Sequence, residues 1–296
     1  MRAAAAALAP RTTGSATLAG CAALALWAFL APLTRLAQPT PPLLLTALGL
    51  AAGGLFGLAA VAARGRLPAL RQGPIAWAHG LAGIGGYHAL YFAALGWAPA
   101  VEANLLNYAW PLLIVLFSGL IGGLRLGARR LLGVGMGAAG AALLLAGGGA
   151  TFPAEAWAGF ACALAAAVVW ALYSVLAARL GSVPSEAVAG FCLVSAAAAW
   201  LAHLALEPRA VLEARHWAVV ALLGLGPTGA AFFLWDHGMK RGDPRLLGTL
   251  AYAVPVASTL LLVAAGEGEF SARMLVAAAL VSGGGLLAAS AGRRRG

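Results

Sequence analysis

Long apolar runs, broken at intervals by Gly, Pro and Arg clusters, follow one another along the whole chain. A helix needs about 20 apolar residues to cross the hydrocarbon core of a bilayer, and these runs have about that length. Their apolar residues are continuous and do not alternate, which excludes a barrel of membrane strands. The pattern predicts an all-α membrane protein with ten transmembrane helices, at residues 15–36, 42–63, 74–96, 101–123, 129–148, 155–178, 186–206, 216–238, 246–266 and 271–291.

The composition supports a membrane protein rather than a soluble one. Of the 296 residues, 62% are hydrophobic and only 9% are charged, whereas a soluble domain has about 25% charged residues. The net charge of +10 does not indicate a nucleic-acid partner, because the basic residues form short clusters between apolar runs. Cys21, Cys162 and Cys192 all lie inside apolar runs, where they are expected to be buried hydrophobes rather than disulfide partners or metal ligands.

The distribution of basic residues predicts the orientation. Ten spans place both termini on one side, and that side holds every Lys and Arg of the chain except four, namely Arg35, Arg209, Arg215 and Arg273. Basic residues are enriched in cytoplasmic loops, so both termini are predicted to be cytoplasmic. Residues 1–14 are then a cytoplasmic tail rather than a signal peptide, since Pro10 and Arg11 interrupt the Ala-rich run. Residues 292–296 form a basic cytoplasmic tail.

The two halves of the sequence resemble each other. "NYAWPLLIVLFSGLIGG" is similar to "AYAVPVASTLLLVAAGE", and Tyr108 and Pro111 have counterparts 144 residues later in Tyr252 and Pro255. The sequence predicts two five-helix repeats, at 15–148 and 155–291. Because five is odd, the second repeat enters the membrane inverted. Inverted repeats are typical of secondary transporters, whose substrate site lies near the midplane between the halves.

A family resemblance follows from these features. The chain resembles the EamA-type members of the drug/metabolite transporter superfamily over residues 15–291. "EANLLNYAWPLL" after "YHALYFAALGWAPAV" is similar to the aromatic amino acid exporter branch. The resemblance implies an inner-membrane exporter of amino acids with a central cavity enclosed by both halves. One departure is that the second half ends its Pro helix with Gly266-Glu267, whereas the first half has Gly122-Gly123.

The stretch "EANLLNYAWP" carries the main candidates for substrate binding. Asn104, Asn107, Tyr108 and Pro111 follow the i, i+3, i+4, i+7 spacing of one helix face, with Trp110 beside them. A polar stripe cannot face lipid, because each unpaired amide in hydrocarbon costs several kcal/mol. It is predicted to line the transport cavity. The alternative is hydrogen bonding between helices without a ligand.

Other aromatic and hydroxyl residues extend this candidate site. Tyr87 and Tyr91 lie one turn apart, Trp170 lies deep in its span, and Thr249 and Tyr252 mirror the stripe in the second half. Aromatic faces suit apolar or aromatic side chains and the cation of an amino group. The alternatives are an interfacial aromatic belt for the tyrosines and core packing for Trp170.

A last group of residues is predicted to serve coupling, gating or bending. Glu102 at a helix start is a candidate for binding an ammonium group or a proton, or simply for complementing the helix dipole. Further coupling candidates are His79, His88 and Asp236, and predicted kinks are Pro111, Pro227 and Pro255. Proton-coupled export and facilitated export both remain open.

Sequence motifs for catalysis are lacking. Gly135-x-Gly137-x-x-Gly140 matches the dinucleotide pattern, but it lies inside a predicted span with no preceding strand. We therefore predict no enzyme, no cofactor and no metal, in a monomer or homodimer that binds small amino acid substrates within the bilayer. The rival hypotheses are a broad drug or metabolite exporter of the same fold, a passive channel, and a membrane-embedded lipid-modifying enzyme. A nucleotide-sugar carrier is disfavoured, since the spans lack basic residues for phosphate.

Overall fold

The computed structural model describes residues 14–121, 127–147, 154–177, 183–242, 247 and 250–290. Helices make up nearly all of this part of the chain, and it contains no strand. We number the α-helices of the described residues in chain order, as α1 (Gly14–Ala28), α2 (Leu30–Leu36), α3 (Pro42–Ala63), α4 (Pro74–Gly80), α5 (Tyr87–Trp97), α6 (Ala100–Asn107), α7 (Trp110–Leu120), α8 (Ala128–Gly147), α9 (Ala154–Ala177), α10 (Ala187–Leu206), α11 (Ala214–Leu225), α12 (Ala231–Arg241), α13 (Val254–Ala264) and α14 (Ala272–Ser290).

Several of these helices join into longer rods. Two π-helical turns, Leu81–Gly86 and Gly226–Ala230, connect α4 to α5 and α11 to α12, and the residues on both sides of each turn keep a helical backbone. Phe29 links α1 to α2 in the same way. Short 3₁₀ turns lie at Leu67–Leu70 and Ala251–Ala253. The helices therefore coincide with the apolar runs in the sequence.

The protein is an all-helical membrane protein. Six helical stretches of the described residues are long and apolar enough to cross a bilayer, namely Gly14–Leu36, Pro42–Ala63, Ala100–Phe117, Ala156–Leu176, Ala187–Leu206 and Ala214–Trp235. Two shorter apolar helices, Ala251–Ala264 and Ala272–Ala288, follow them. This is the expected result of continuous apolar sequence. The full number of ten spans stays a prediction.

Each of the three predicted kink prolines lies where one helix gives way to the next. Pro111 and Pro255 lie in the first turns of α7 and α13, and Pro227 is the second residue of the second π-helical turn. A proline has no N–H group, so the carbonyl four residues before it loses its helical hydrogen bond and the helix is interrupted there. The interruption before Pro111 places Tyr108 between α6 and α7.

Thr228 repairs one of these interruptions. Its Oγ1 lies 3.0 Å from the carbonyl oxygens of both Leu223 and Gly49, and it is buried. The Leu223 carbonyl needs this donor because Pro227 cannot supply one. The same hydroxyl also bridges the second π-helical turn to α3.

Replacing Thr228 with valine is expected to lower the free energy of unfolding by about 1–3 kcal/mol, because the buried Leu223 and Gly49 carbonyls lose the Thr228 hydroxyl donor. The matched control is Thr46→Val. Thr46 is also buried but donates only within its own helix, to the Pro42 carbonyl. Unfolding of both variants in mixed detergent micelles measures the difference. Equal stability of the two variants would show that the bridge to α3 does not matter.

Helices from the first half of the chain pack in pairs against helices from the second half. These pairs are α3 with α10, α8 with α14, α1 with α12, and α5 with α9. Glycines allow the closest approaches: a Cβ atom on Gly53 of α3 would lie 2.3 Å from the Thr228 carbonyl oxygen. A Cβ atom on Gly133 of α8 would lie 2.4 Å from the Gly284 carbonyl oxygen of α14. The two halves are thus interleaved around a shared centre.

Charged groups hold both ends of the α3–α10 pair. The Glu207 carboxylate, just after α10, accepts hydrogen bonds from the Leu43 and Leu44 N–H groups in the first turn of α3, at 2.8 and 3.1 Å. At the opposite end, Arg66 lies 3.3 Å from Glu186, which precedes α10. Each carboxylate lies beside a helix N-terminus, where the helix dipole favours a negative charge.

Candidate functional site

An aromatic cavity of about 260 Å³ lies between helices from both halves of the chain. Eight of its lining residues are Trp, Tyr or Phe, and none of the described lining residues is Asp, Glu, Lys or Arg. The cavity is lined by Leu24, Trp27, Leu30, Tyr87, His88, Tyr91, Tyr108, Trp110, Trp170, Ser174, Phe232, Trp235, Ala251 and Val254. Such a wall suits flat apolar groups.

One part of the wall is formed by rings of α5 and α9, and their contacts continue beyond the cavity to a ring of α4. Tyr87 stacks on Tyr91 at 5.6 Å between ring centroids and contacts Trp170 at 4.9 Å, with the two ring planes tilted. Trp170 stacks on Tyr173 at 5.3 Å, and Tyr173 stacks on His79 at 4.4 Å. The predicted site residues Tyr87, Tyr91 and Trp170 are therefore brought together, and His79 ends the stack outside the cavity lining.

Another part of the wall comes from α1 and α12. Trp27 packs against Trp235 at 5.3 Å and against Phe232 at 6.1 Å between centroids. The indole N–H of Trp27 donates to the Pro227 carbonyl in the second π-helical turn at 3.2 Å. These three aromatic residues were not among the predicted site residues. The available signals were the repeat equivalence of Trp27 with Trp170, and the i, i+3 spacing of Phe232 and Trp235.

The predicted amides lie behind the cavity wall. The Tyr91 hydroxyl donates to Asn104 Oδ1 at 2.5 Å, and Asn104 Nδ2 lies 3.3 Å from Ser258 Oγ and 3.2 Å from Thr259 Oγ1. All four side chains are buried. The amide of Asn104 therefore joins α5, α6 and α13 and is not part of the lining. This is the interhelical alternative that the sequence left open.

Asn107 is also hydrogen-bonded to a tyrosine of the cavity lining, within the first half of the chain. Its Nδ2 donates to the Tyr87 hydroxyl at 3.1 Å, while its buried Oδ1 has no hydrogen-bond partner within the described part of the chain. Both asparagines thus fix the hydroxyl group of a tyrosine whose ring lines the cavity. The rings are thus held in place at their polar ends.

His88 is the coupling candidate that lines the cavity. Its Nδ1 lies 2.8 Å from the Ile84 carbonyl in the first π-helical turn. A carbonyl can only accept, so Nδ1 carries the hydrogen, and Nε2 is the acceptor of the neutral ring.

The remaining predicted residues lie elsewhere. Glu102 lies in the first turn of α6, away from the cavity lining, and the Tyr252 ring faces Gly285 of α14. Asp236 belongs to α12, but its side chain lies outside the described residues, as does all of Thr249. Among the described residues, no group of three or more His, Cys, Asp or Glu side chains is arranged to hold a metal ion.

The comparison with known families agrees with this architecture. The model of the EamA-like transporter family matches the chain twice, at residues 14–146 and 157–290. The chain belongs to the EamA-like transporter family. The resemblance to the EamA-type members of the drug/metabolite transporter superfamily, inferred over residues 15–291, is confirmed.

Named relatives support the closer branch. A protein of Ancylobacter novellus named aromatic amino acid exporter YddG is 49% identical over 270 residues, covering 90% of this chain and 94% of that protein. A protein of the same name from Salmonella typhimurium is 26% identical over 266 residues, covering 84% and 88% respectively. A solved crystal structure with 48% identity superposes with a TM-score of 0.74 over 95% of this chain and 99% of that chain. The family and its named relatives are transporters.

Proposed function

We propose that this transporter exports amino acids, both aromatic and other neutral ones, together with related metabolites, across the bacterial inner membrane by alternating access. The observation that carries the proposal is the aromatic cavity, whose lining comes from both halves of the chain. A site shared by two halves is what alternating access requires, because a rocking motion of one half against the other can expose it to each side in turn.

The helix pairing supports two inverted five-helix repeats. Counting the predicted spans in order, α1–α2 is span 1, α4–α5 is span 3, α9 is span 6 and α11–α12 is span 8. In two five-helix repeats, span 1 corresponds to span 6 and span 3 to span 8. The contact between spans 1 and 8 therefore predicts an equivalent contact between spans 6 and 3, and the structure contains both. The first π-helical turn starts at Leu81 and the second at Gly226, 145 residues later. A repeated fold explains both coincidences.

The orientation is proposed from the loop charges. Residues at one end of the bundle, where Arg35, Leu95 and Glu267 meet, belong to the side poor in basic residues. We call this the Arg35 end and propose that it faces the periplasm, with both chain termini in the cytoplasm.

The chemistry of the cavity fits a neutral amino acid with a ring. Tyr87, Trp170 and Trp27 line the cavity with aromatic rings, which suit an aromatic side chain and an ammonium group. His88 adds one polar ring, and no described lining residue supplies a fixed charge. Binding should then be weak and broad, which favours release after transport. Because no described lining residue is charged, the cavity would also accept other apolar or aromatic molecules, so a broad drug or metabolite exporter is the second candidate.

The function is tested by counterflow in proteoliposomes. Vesicles preloaded with unlabelled tryptophan, phenylalanine or tyrosine are expected to accumulate the labelled form of the same amino acid at several times the rate of empty vesicles. Preloading with glutamate, whose extra charge has no partner among the lining residues, is the matched control. Equal rates for all four preloads, or none above protein-free vesicles, would contradict the substrate assignment.

A pH gradient imposed on the same vesicles addresses coupling. His88 lines the cavity, and His79, Glu102 and Asp236 remain further candidates for carrying a proton. Proton antiport predicts faster loss of internal tryptophan when the outside is acidified, whereas facilitated export predicts no response.

A further inference from the structure

Arg35 joins three helices at the Arg35 end of the bundle. Its Nε lies 2.7 Å from Glu267 Oε2, and its Nη1 donates to the Leu95 carbonyl at 2.7 Å. Arg35 lies in the last turn of α2, Leu95 lies in the last turn of α5, and Glu267 follows the end of α13. The guanidinium therefore links the first half of the chain to the second half across 232 residues.

Local sequence explains why both acceptors are available. Residue 99 is a proline, so the Leu95 carbonyl has no N–H group four residues ahead and accepts from Arg35 instead. Gly266 has a φ of +80°, and its N–H and that of Glu267 donate to the Val263 and Leu262 carbonyls. This glycine cap ends α13 and fixes the direction in which the Glu267 side chain leaves the helix.

A second layer lies between this ion pair and the cavity. Asn104 precedes the cavity residues Tyr108 and Trp110, and α6 begins at the Arg35 end, so Asn104 lies nearer to that end. Ser258 follows the cavity residue Val254 along α13, which runs toward the same end. The network of Asn104 with Tyr91, Ser258 and Thr259 therefore lies behind the cavity wall, on its Arg35 side.

An apolar contact between Val101 and Gly268 adds to these polar contacts. A Cβ atom on Gly268 would lie 2.8 Å from Val101 Cγ2 and 3.5 Å from Val101 Cβ. Val101 belongs to the first half and Gly268 to the second. Three separate contacts, one ionic, one apolar and one of buried hydrogen bonds, thus cross between the halves on one side of the cavity.

We propose that these contacts are the gate on the periplasmic side, shut in this conformation, and that the Arg35–Glu267 pair is its latch. The gate rests on the proposed alternating access, since contacts between the halves on one side of the site must part when the site opens to that side. The buried Asn104 layer excludes water, and the outer pair holds the helix ends together.

The latch has no acidic counterpart in the repeated half of the sequence. The residue 144 positions after Arg35 is Arg179, but the residue 144 positions before Glu267 is Gly123. These two residues lie outside the described part of the chain. A glycine cannot supply a carboxylate, so the sequence does not repeat this Arg–Glu pairing at the equivalent positions, and the Arg35–Glu267 pair adds stability to the state closed at the periplasm.

The test measures access to the cavity rather than transport. The reporter is Leu24→Cys, a lining position, in a chain with Cys21, Cys162 and Cys192 replaced by alanine. An impermeant maleimide is applied in turn to right-side-out and inside-out vesicles. Adding Glu267→Gln is expected to raise the labelling rate from the Arg35 end roughly fivefold, as for loss of a partly exposed ion pair.

Two controls isolate the latch. Glu269→Gln removes the same charge from an exposed position in the same loop and should label at the unmodified rate. Exchange of the two charges, Arg35→Glu with Glu267→Arg, should restore slow labelling in part. Unchanged labelling in Glu267→Gln, or an equal rise in Glu269→Gln, would overturn the proposal.

A covalent lock covers the case in which Glu267→Gln does not fold. Val101→Cys with Gly268→Cys places the two Cβ atoms close to the separation of a disulfide, about 3.5–4.5 Å. Oxidation should stop labelling from the Arg35 end and leave labelling from the other end intact, and reduction should reverse it. Labelling that continues from the Arg35 end after oxidation would show that the gate is elsewhere. Maleimide labelling is measured without substrate, so its result does not depend on whether the counterflow assay finds amino acid transport.

Discussion

Alanine in place of Gly53 is expected to reduce the yield of folded protein severely. The added Cβ atom would lie 2.3 Å from the Thr228 carbonyl oxygen and 3.0 Å from the Gly224 carbonyl oxygen. Both neighbours are backbone atoms of α11 and the following π-helical turn, and a backbone cannot rotate aside as a flexible side chain can. Overpacking a helix contact costs about 1–3 kcal/mol, and more where the backbone must shift.

Gly49 provides the matched control for this substitution. It lies one turn earlier on the same helix, and its Cβ atom would meet nothing closer than Thr228 Oγ1 at 3.9 Å. Gly49→Ala should therefore keep the wild-type yield and the wild-type melting temperature in detergent. Fluorescence-detected size exclusion followed by thermal melting compares the two. A monodisperse Gly53→Ala variant with normal stability would mean that α3 and α11 do not approach as closely as described.

The second large effect is expected at Trp170. Replacing it with alanine removes the central ring of the stacked wall, because Trp170 contacts both Tyr87 and Tyr173. An aromatic pair contributes about 0.5–1.5 kcal/mol beyond burial, so losing two ring neighbours and a ligand surface should weaken aromatic substrate binding about tenfold or more. Counterflow of labelled tryptophan should fall accordingly, and Trp170→Phe should retain most of it.

Trp217 is the control for a general effect of losing a tryptophan. Its side chain on α11 is 52% exposed and is not part of the cavity lining. Trp217→Ala should transport at the wild-type rate. If Trp170→Ala also transports normally while folded, the cavity is not the substrate site, whatever its composition.

The helices, their breaks and much of the cavity wall can be read from local sequence. Tyr87, Tyr91, Tyr108, Trp110 and Trp170 were predicted as site residues and all line the cavity. They could be found because a polar or aromatic residue deep in an apolar span cannot face lipid without cost. The helix breaks at the prolines follow from local sequence for a similar reason, since a missing N–H group acts within four residues of its own position.

The asparagines show where this reasoning stops. Asn104 and Asn107 share the helix face of Tyr108, so the spacing alone assigned all three to the cavity. In the structure Asn104 instead meets Ser258 and Thr259, more than 150 residues away in the chain. Helical periodicity gives the face of a helix but not the partner that covers it.

The same limit applies to the residues that the sequence did not single out. Trp27, Phe232 and Trp235 meet because α1 packs against α12, and no periodic pattern encodes that pairing. In the sequence Glu267 marks only a difference between the two halves, and the tertiary structure pairs it with Arg35. Hydropathy acts residue by residue along a helix and so fixes which segments enter the bilayer. Which faces then meet depends on the shapes and donors of two distant helices together, and that is a property of the folded bundle alone.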